Sequence, residues 1–353
     1  MKIAILFDGA SAYASTPDQL ILGTVEAIEA SLSAEGNEIG YIPVFHDGKW
    51  IDKLRRGKFD LAFNMCEGID GVATLEAAVI SVLELFKIPF TGTSSYTASV
   101  CLRKHVINSL LEKAGLPVPR FALIRRGDAL VSVGYPAIVK PAAEDASLGV
   151  EQRSVVRNGR QLAARVDAML ELWEEVLVQR YVEGREVNVG ILGDAVLPIA
   201  EIDFSHMPRG RWRIVTYQSK WDTGSVDDAG AEPRCPARLP AKIAAETRRV
   251  AMHAWKLVGG FGYGRVDMRI DAGGQPWILE VNGNPDIAPD AGMARMARVT
   301  GIEYPALIRS ICELALMRSR EKPPVNEWTL AQNLSGVPET PPAELDLFAA
   351  GPP

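Results

Sequence analysis

Metal-binding and thiol chemistry have few residues to draw on here. The 353-residue chain holds only 4 histidines and 4 cysteines, and Cys66, Cys101, Cys235 and Cys312 stand far apart. Without Cys-x-x-Cys spacing or the cysteine density of a small secreted scaffold, free thiols in a reducing compartment are expected. No stretch approaches the ~20 apolar residues of a membrane span. The opening MKIAILFDGASA carries an apolar run too short for a signal-peptide core, so a cytoplasmic protein is expected. Positive charge is not in excess either: 38 Lys and Arg against 44 Asp and Glu leave a net charge of -6. That argues against nucleic acid as a partner, and any anionic ligand must be met by local cations. The phosphate-cradling pattern G-x-x-x-x-G-K-[ST] is absent as well.

What remains is an ordinary globular composition, 47% hydrophobic and 23% charged, long enough for two or three lobes. Over about the first 95 residues strands alternate with helices: KIAILFDG, a helix over Pro17 to Ala34, strands at Glu38 to Val44 and Phe59 to Asn64, and a helix over Leu75 to Phe86. This is the pattern of an open parallel α/β sheet. Ala98 to Ala114 has the spacing of a single amphipathic helix, stopped by Gly115-Leu-Pro-Val-Pro.

An α+β unit follows, with strands at Arg120 to Arg125, Ala137 to Lys140, Val150 to Val155 and Val176 to Tyr181 and a helix over Gln161 to Leu172. A hairpin near Gly193-Asp194 leads to a strand over Val196 to Ile202, and then a polar segment from Ser205 to Pro240 shows little periodicity. Loops of that length in compact domains are usually functional. Helices over Pro240 to Val258 and Pro305 to Arg318 flank strands at Gly262 to Ile270 and Trp277 to Asn282, and a proline-rich tail follows Lys322. The expected lobes are residues 1–97, 98–183 and 184–320, with 321–353 as the tail.

The chemistry concentrates near the end. Tyr263-Gly-Arg-Val-Asp-Met-Arg-Ile-Asp271 and WILEVN are separated by Ala-Gly-Gly-Gln, an obvious reversal. If residues 271 and 276 flank that turn, Asp267 faces Glu280 and Arg265 faces Asn282. Side chains two apart share a strand face, so the four groups converge. Opposed acids repel unless a cation lies between them. With no nearby histidine or cysteine, hard oxygen ligands at Asp267, Glu280 and Asn282 favour Mg²⁺ or Mn²⁺, which usually share their sphere with substrate phosphates. Three lysines are placed to meet phosphates: Lys104, Lys140 at a strand end, and Lys220 in the polar segment. The loop from Asp145 to Gly149 offers backbone N–H groups and the Ser147 hydroxyl. The strand from Val176 to Val182 reads by itself as a core strand, although its end at Gln179, Arg180 and Val182 can present backbone groups to an adenine edge, with Glu186 beyond for ribose hydroxyls.

The ordered set Phe90-Thr-Gly, Lys104, Ala114-Gly-Leu-Pro-Val-Pro, Ile138-Val-Lys140-Pro, Ser147-Leu-Gly149-Val, Val176-Leu-Val-Gln179, Glu186, Lys220, Gly264-Arg265-Val-Asp267 and Leu279-Glu280-Val-Asn282 resembles the ATP-grasp superfamily, within it the D-alanine–D-alanine ligase group. The resemblance covers roughly residues 1 to 318. It implies an ATP-grasp fold: an N-terminal open parallel α/β lobe and two lobes that clasp ATP. It also implies ATP as co-substrate and two Mg²⁺ ions at Asp267, Glu280 and Asn282, with Mn²⁺ as an acceptable substitute. Lys104 and Lys140 would lie on the α- and β-phosphates and Lys220 near the γ-phosphate. The end of the Val176 strand would bind adenine, with Glu186 on the ribose. The reaction implied is carboxylate attack on the γ-phosphate to give an acyl phosphate, then amine attack to form an amide. Arg265 would stabilise the charge that develops. The partners implied are small amino-acid or amine substrates. A homodimer fits the resemblance, although no interface signature stands out.

The departures from that family pattern matter. The N-terminal loop Asp8-Gly-Ala-Ser-Ala-Tyr-Ala-Ser-Thr-Pro-Asp18 lacks the acid of the family's G-x-[ST]-x-E pattern, and Glu67 is the substitute candidate for a substrate ammonium. Ala146-Ser147 has one hydroxyl fewer than the family pair, and Trp221 stands where tyrosine is typical. After Asn282 the family's Pro-Gly and serines give way to Asn-Pro-Asp286-Ile-Ala-Pro-Asp290. Two carboxylates suit a cationic acceptor better than a carboxylate-bearing one, and Asp290 could equally cap a helix over Ala291 to Val299. Three alternatives stay open: a D-alanine–D-alanine ligase proper, a non-catalytic ATP-binding protein, and a kinase that stops at the acyl phosphate.

Overall fold

The computed structural model of the chain describes residues 1–10 and 19–318. The N-terminal loop at residues 11–18 and the proline-rich tail at 321–353 lie outside the described residues. β1 (Lys2–Asp8), α1 (Gln19–Ser33), β2 (Glu38–Val44), α2 (Lys49–Gly57), β3 (Leu61–Asn64) and α3 (Glu76–Leu85) form the first unit. Its sheet is parallel in the order β2-β1-β3. Ile3, Ile5 and Phe7 pack on one side of β1 and Ala4 and Leu6 on the other, which is why the strand reads as one apolar run rather than an alternation. The short helix α2 has no counterpart in the sequence reading. Its polar KWIDKLRRG buries Trp50 and Leu54, an i,i+4 pair on one face, and leaves its charged side chains exposed.

The helix expected over Ala98 to Ala114 is in fact two, α4 (Ser95–Leu102) and α5 (Lys104–Lys113), broken at Arg103 with ψ 89°. The cause is tertiary. The Lys104 backbone N–H donates to the Ala142 carbonyl at 2.9 Å instead of to its own helix, and so Lys104 begins α5 rather than sitting in mid-helix.

Two antiparallel sheets follow. The first, in the order β4-β7-β5-β6, contains β4 (Phe121–Arg125), β5 (Ala137–Pro141), β6 (Val155–Val156) and β7 (Glu175–Arg180), with α6 (Gly159–Leu170) packed against it. The strand expected over Val150 to Val155 shrinks to β6. Residues Gln152–Ser154 instead make a 3₁₀ turn closed by a capping box between Glu151 and Ser154, local hydrogen bonds that outcompete the ladder.

The larger sheet runs β11-β10-β8-β12-β13, with β9 paired to β8. It comprises β8 (Arg185–Leu192), β9 (Ala195–Val196), β10 (Ala200–Asp203), β11 (Glu232–Arg234), β12 (Tyr263–Ile270) and β13 (Pro276–Asn282). The expected strand Val196 to Ile202 is interrupted around Pro198, which cannot donate to a ladder. The polar segment carries the short helices α7 (Tyr217–Trp221) and α8 (Val226–Ala229). α9 (Ala241–Leu257) covers the sheet through Val250, Ala251, Ala254 and Trp255, while α10 (Gly292–Val299) and α11 (Tyr304–Arg318) pack toward β1 and α1. No helix of the described residues is long and apolar enough to cross a membrane.

Candidate active site

The cleft between the two antiparallel sheets is lined by Lys104, Lys140, Ser147, Gln179, Arg180, Val182, Glu186, Lys220, Asp267 and Glu280 among others. Ten residues singled out from distant parts of the sequence thus share one cavity. Arg265, Asn282, Glu67, Trp221, Asp286 and Asp290 do not line it.

On the floor, β12 pairs with β13 so that Arg265 faces Asn282 and Asp267 faces Glu280. The turn closes differently from the expectation: Ile270, not Asp271, pairs next to the turn with Pro276, and a bulge between Asp267 and Met268 absorbs the one-residue difference. Bulges re-aim side chains. Leu279 and Glu280, neighbours that a regular strand would send to opposite faces, both line the cleft. On the other side of β12, Asn188 of β8 faces Asp267 and Glu186 faces Arg269. Asn188 and Arg269 were missed in the sequence, although each lies two residues from a recognised site residue.

Charge is dense here. Arg265 binds Asp267 through Nε to Oδ1 at 2.7 Å and Nη2 to Oδ2 at 2.8 Å. The Asn188 amide donates to the same Oδ1 at 2.6 Å. Burial would lower the Arg265 pKa, but the charge and hydrogen bonds of Asp267 win and raise it. Burial likewise works to raise the pKa of Glu280, and the charges of Lys104, Lys140, Lys220 and Arg265 together hold it below its ordinary value. Lys140 is buried enough that its pKa falls to about 8, although Glu280 pulls the other way. The donor set of two carboxylates and an amide oxygen suits a hard cation that completes its sphere with phosphate and water. Among the described residues no group of three or more His, Cys, Asp or Glu could hold a metal by itself.

One wall is the loop after β5. Ala146 and Ser147 both adopt positive φ, 54° and 60°, a strained backbone for residues with a side chain and one concentrated at functional sites. Lys104 Nζ donates to the Glu144 carbonyl, and the Trp221 indole donates to the Ala146 carbonyl at 3.2 Å. α7, which carries Lys220, is therefore latched onto this loop. Deeper in, Gln179 is 1% exposed and both its amide atoms lack partners.

Beyond Glu280 a smaller cavity is lined by Glu76, Asp145, Asn282 and Asn284. Burial raises the Glu76 pKa to about 8, with Asp145 and Glu67 adding to it. Glu67 is raised to about 7 by desolvation together with the charges of Asp145 and Asp286. Its side chain is open to solvent, and that water tempers the cost of charging it. Asp286 is exposed, and its Oδ1 accepts from the Ala288 backbone N–H at 2.9 Å. Its charge acts on Glu67, Tyr263, Arg265 and Tyr304. Asp290 does not cap α10: Ala291 is the N-cap and no side chain bonds there. None of the four cysteines is in a disulfide.

The chain resembles known proteins along nearly its whole length. Residues 110–313, more than half of the chain, match the family described as D-ala D-ala ligase C-terminus. It is 31% identical over 322 residues to a D-alanine--D-alanine ligase of Dechloromonas aromatica, covering 89% of this chain and 97% of that one. It is 30% identical over 322 residues to the enzyme of the same name from Gluconobacter oxydans, covering 90% of this chain and 100% of the other. A crystal structure of D-alanine--D-alanine ligase from Bacillus anthracis complexed with ATP superposes with a TM-score of 0.74 at 22% identity, covering 91% of this chain and 99% of that one.

Proposed function

The chain belongs to the D-alanine–D-alanine ligase family, and from that premise we propose that it joins a carboxylate to an amine acceptor that is cationic or lacks a carboxylate. It is an ATP-dependent carboxylate–amine ligase that forms an amide bond. The acceptor reading rests on one observation above all: Asp286 directs negative charge onto Glu67 and Arg265, where a substrate carboxylate would meet repulsion and an ammonium or guanidinium would be welcome. ATP as co-substrate puts the reaction in the cytoplasm.

The lobes 1–97, 98–183 and 184–320 divide the work, the first presenting substrate and the other two holding the nucleotide. Gln179 offers its unpartnered amide to adenine, flanked by Arg180 and Val182, and Glu186 accepts from ribose hydroxyls. A buried amide with no partner is costly unless a ligand completes it. Lys104 and Lys140 take the α- and β-phosphates, and Lys220 meets the γ-phosphate under the strained loop with Ser147. Asp267, Glu280 and Asn282 would hold Mg²⁺, which when bound neutralises charge on the phosphates.

The substrate carboxylate oxygen attacks the γ-phosphorus and ADP leaves, giving an acyl phosphate. The neutral amine then attacks the acyl carbon, phosphate departs with its bonding electrons, and the nitrogen gives up a proton to the departing phosphate or to solvent to leave the amide. Arg265 stabilises the oxyanion that forms there. The Trp221 latch keeps water from the hydrolysable intermediate. Glu67 holds a substrate ammonium.

A panel of amino acids, diamines and amino-acid amides, assayed for phosphate release that requires both substrates and followed by product masses, tests the reading. Release with a cationic or carboxylate-free acceptor is expected. Release with D-alanine alone, yielding only its dipeptide, would overturn it in favour of a D-alanine–D-alanine ligase.

A further inference from the structure

Arg269 is 2% exposed on β12, two residues beyond Asp267 on the same polar face of the strand. Its Nη2 donates to the carbonyls of Arg213 at 2.7 Å and Gly184 at 3.2 Å. Its guanidinium lies 4.8 Å from the centroid of the Tyr181 ring, whose hydroxyl donates to the same Arg213 carbonyl at 3.2 Å. The arginine thereby fastens together the end of β7, the turn into β8 and the polar segment that leads to Lys220. A planar, stacked guanidinium held at two carbonyls has little freedom left.

What that rigidity serves is visible at its remaining edge. Nε makes no hydrogen bond and stands 3.9 Å from Glu186 Oε2, its cross-strand neighbour. At that distance the charge attracts the carboxylate, but the contact is too long to be a hydrogen bond. The lone pairs of Glu186 stay available. On β8 one residue earlier, Arg185 grips Glu201 at 2.6 and 2.5 Å, which is how a purely structural pair closes. Arg269 and Glu186 both line the nucleotide cleft, and their pair is left open.

We propose that Arg269 is a positioning residue for the nucleotide ribose, holding the Glu186 carboxylate aimed while leaving its oxygens free to accept from the sugar hydroxyls. The proposal rests on the reading of Glu186 as the ribose acceptor. A residue that merely supports the fold would affect every nucleotide alike. One that acts through Glu186 affects only those with ribose hydroxyls.

The test is calorimetric binding of ATP and of 2′,3′-dideoxyATP to the full-length wild-type protein and to Glu186→Gln, Arg269→Met and Arg269→Lys. The wild type should prefer ATP by roughly tenfold, the weight of charge-assisted hydrogen bonds. All three variants should lose that preference, and the Glu186→Gln/Arg269→Met double variant should be no worse than either single one, because the two residues act as a unit. Arg269→Lys keeps a positive charge without the flat fork, so it reports on positioning even where Arg269→Met folds poorly. Preference lost in Glu186→Gln but retained in folded Arg269→Met or Arg269→Lys would overturn the role of Arg269 alone. A wild type that binds both nucleotides equally would overturn the ribose reading of Glu186, and the proposal with it.

Discussion

Arg265 and Asp267, two residues apart on one face of β12, neutralise each other through a two-pronged ion pair of 2.7 and 2.8 Å. The residue suited to stabilising an oxyanion and a residue suited to holding a cation are therefore engaged with one another. Arg265→Met should lower turnover by about 10²-fold with little change in nucleotide affinity, and Mn²⁺ should bind more tightly to the variant because Asp267 has lost its partner. Steady-state kinetics with a parallel Mn²⁺ titration checks both halves. Unchanged turnover would remove Arg265 from the chemistry.

Glu280 is surrounded by the charges of three lysines and Arg265. Glu280→Gln leaves those cations uncompensated, so nucleotide affinity measured without divalent metal should rise. Nucleotide affinity with Mg²⁺ should no longer exceed it. Calorimetry with and without Mg²⁺ decides, and an intact Mg²⁺ effect in the variant would sink the metal assignment.

Desolvation and the charges of Asp145 and Asp286 push the Glu67 pKa up to about 7, and the solvent that reaches its side chain works against that rise. Only the carboxylate holds an ammonium well. The KM of the amine-bearing substrate should therefore fall as pH rises through about 7. In Glu67→Gln the profile should flatten at a KM roughly tenfold higher. A wild-type KM flat over that range would argue against the role.

Glu76 starts α3, where a helix N-terminus favours an anion by up to about 2 kcal/mol, yet burial prevails and raises its pKa from 4.5 to about 8. Between those values the folded protein keeps a proton that the unfolded chain releases, so this group's contribution to stability declines as pH rises from 4.5 to about 8. Glu76→Gln removes the decline. Its stability relative to wild type should improve across that window, by an amount on the order of a few kcal/mol. Urea unfolding at several pH values measures the gap, and a gap independent of pH would refute the assignment.

Asp286 acts on the site by charge, whereas Asp290 is exposed at the start of α10, its carbonyl engaged by Arg295. Asp286→Ser should shift acceptor preference away from cationic amines, by roughly tenfold in relative kcat/KM. Asp290→Ser should have much less effect. Equal responses of the two variants would count against the geometry.

The strands and helices with strong periods were legible from the residues alone, as was the face shared by Arg265, Asp267, Glu280 and Asn282. The hairpin register came out right at the site although the turn closes one residue differently, because the bulge beside Asp267 offsets the difference. α2 was overlooked because only two of its nine residues are buried, although Trp50 and Leu54 mark one clear face of the helix. The apparent helix over Ala98 to Ala114 had sound periodicity, yet the carbonyl of Ala142, far downstream in the sequence, captures the Lys104 N–H.

Side-chain alternation, turn residues and charge are properties of neighbouring positions, and they determined the types and order of the elements, the acids on the β12–β13 hairpin and the ATP-grasp pattern. Tertiary structure alone decided what meets what. Lys104, Lys140 and Lys220 lie on separate elements, and they act on Glu280 only once two sheets close around a cleft. In the sequence Arg269 is marked only by lying two residues from Asp267, and nothing there ties it to Glu186. Its place beside Glu186 depends on β8 pairing with β12, strands about eighty residues apart, and contacts at that separation follow from packing rather than from local pattern.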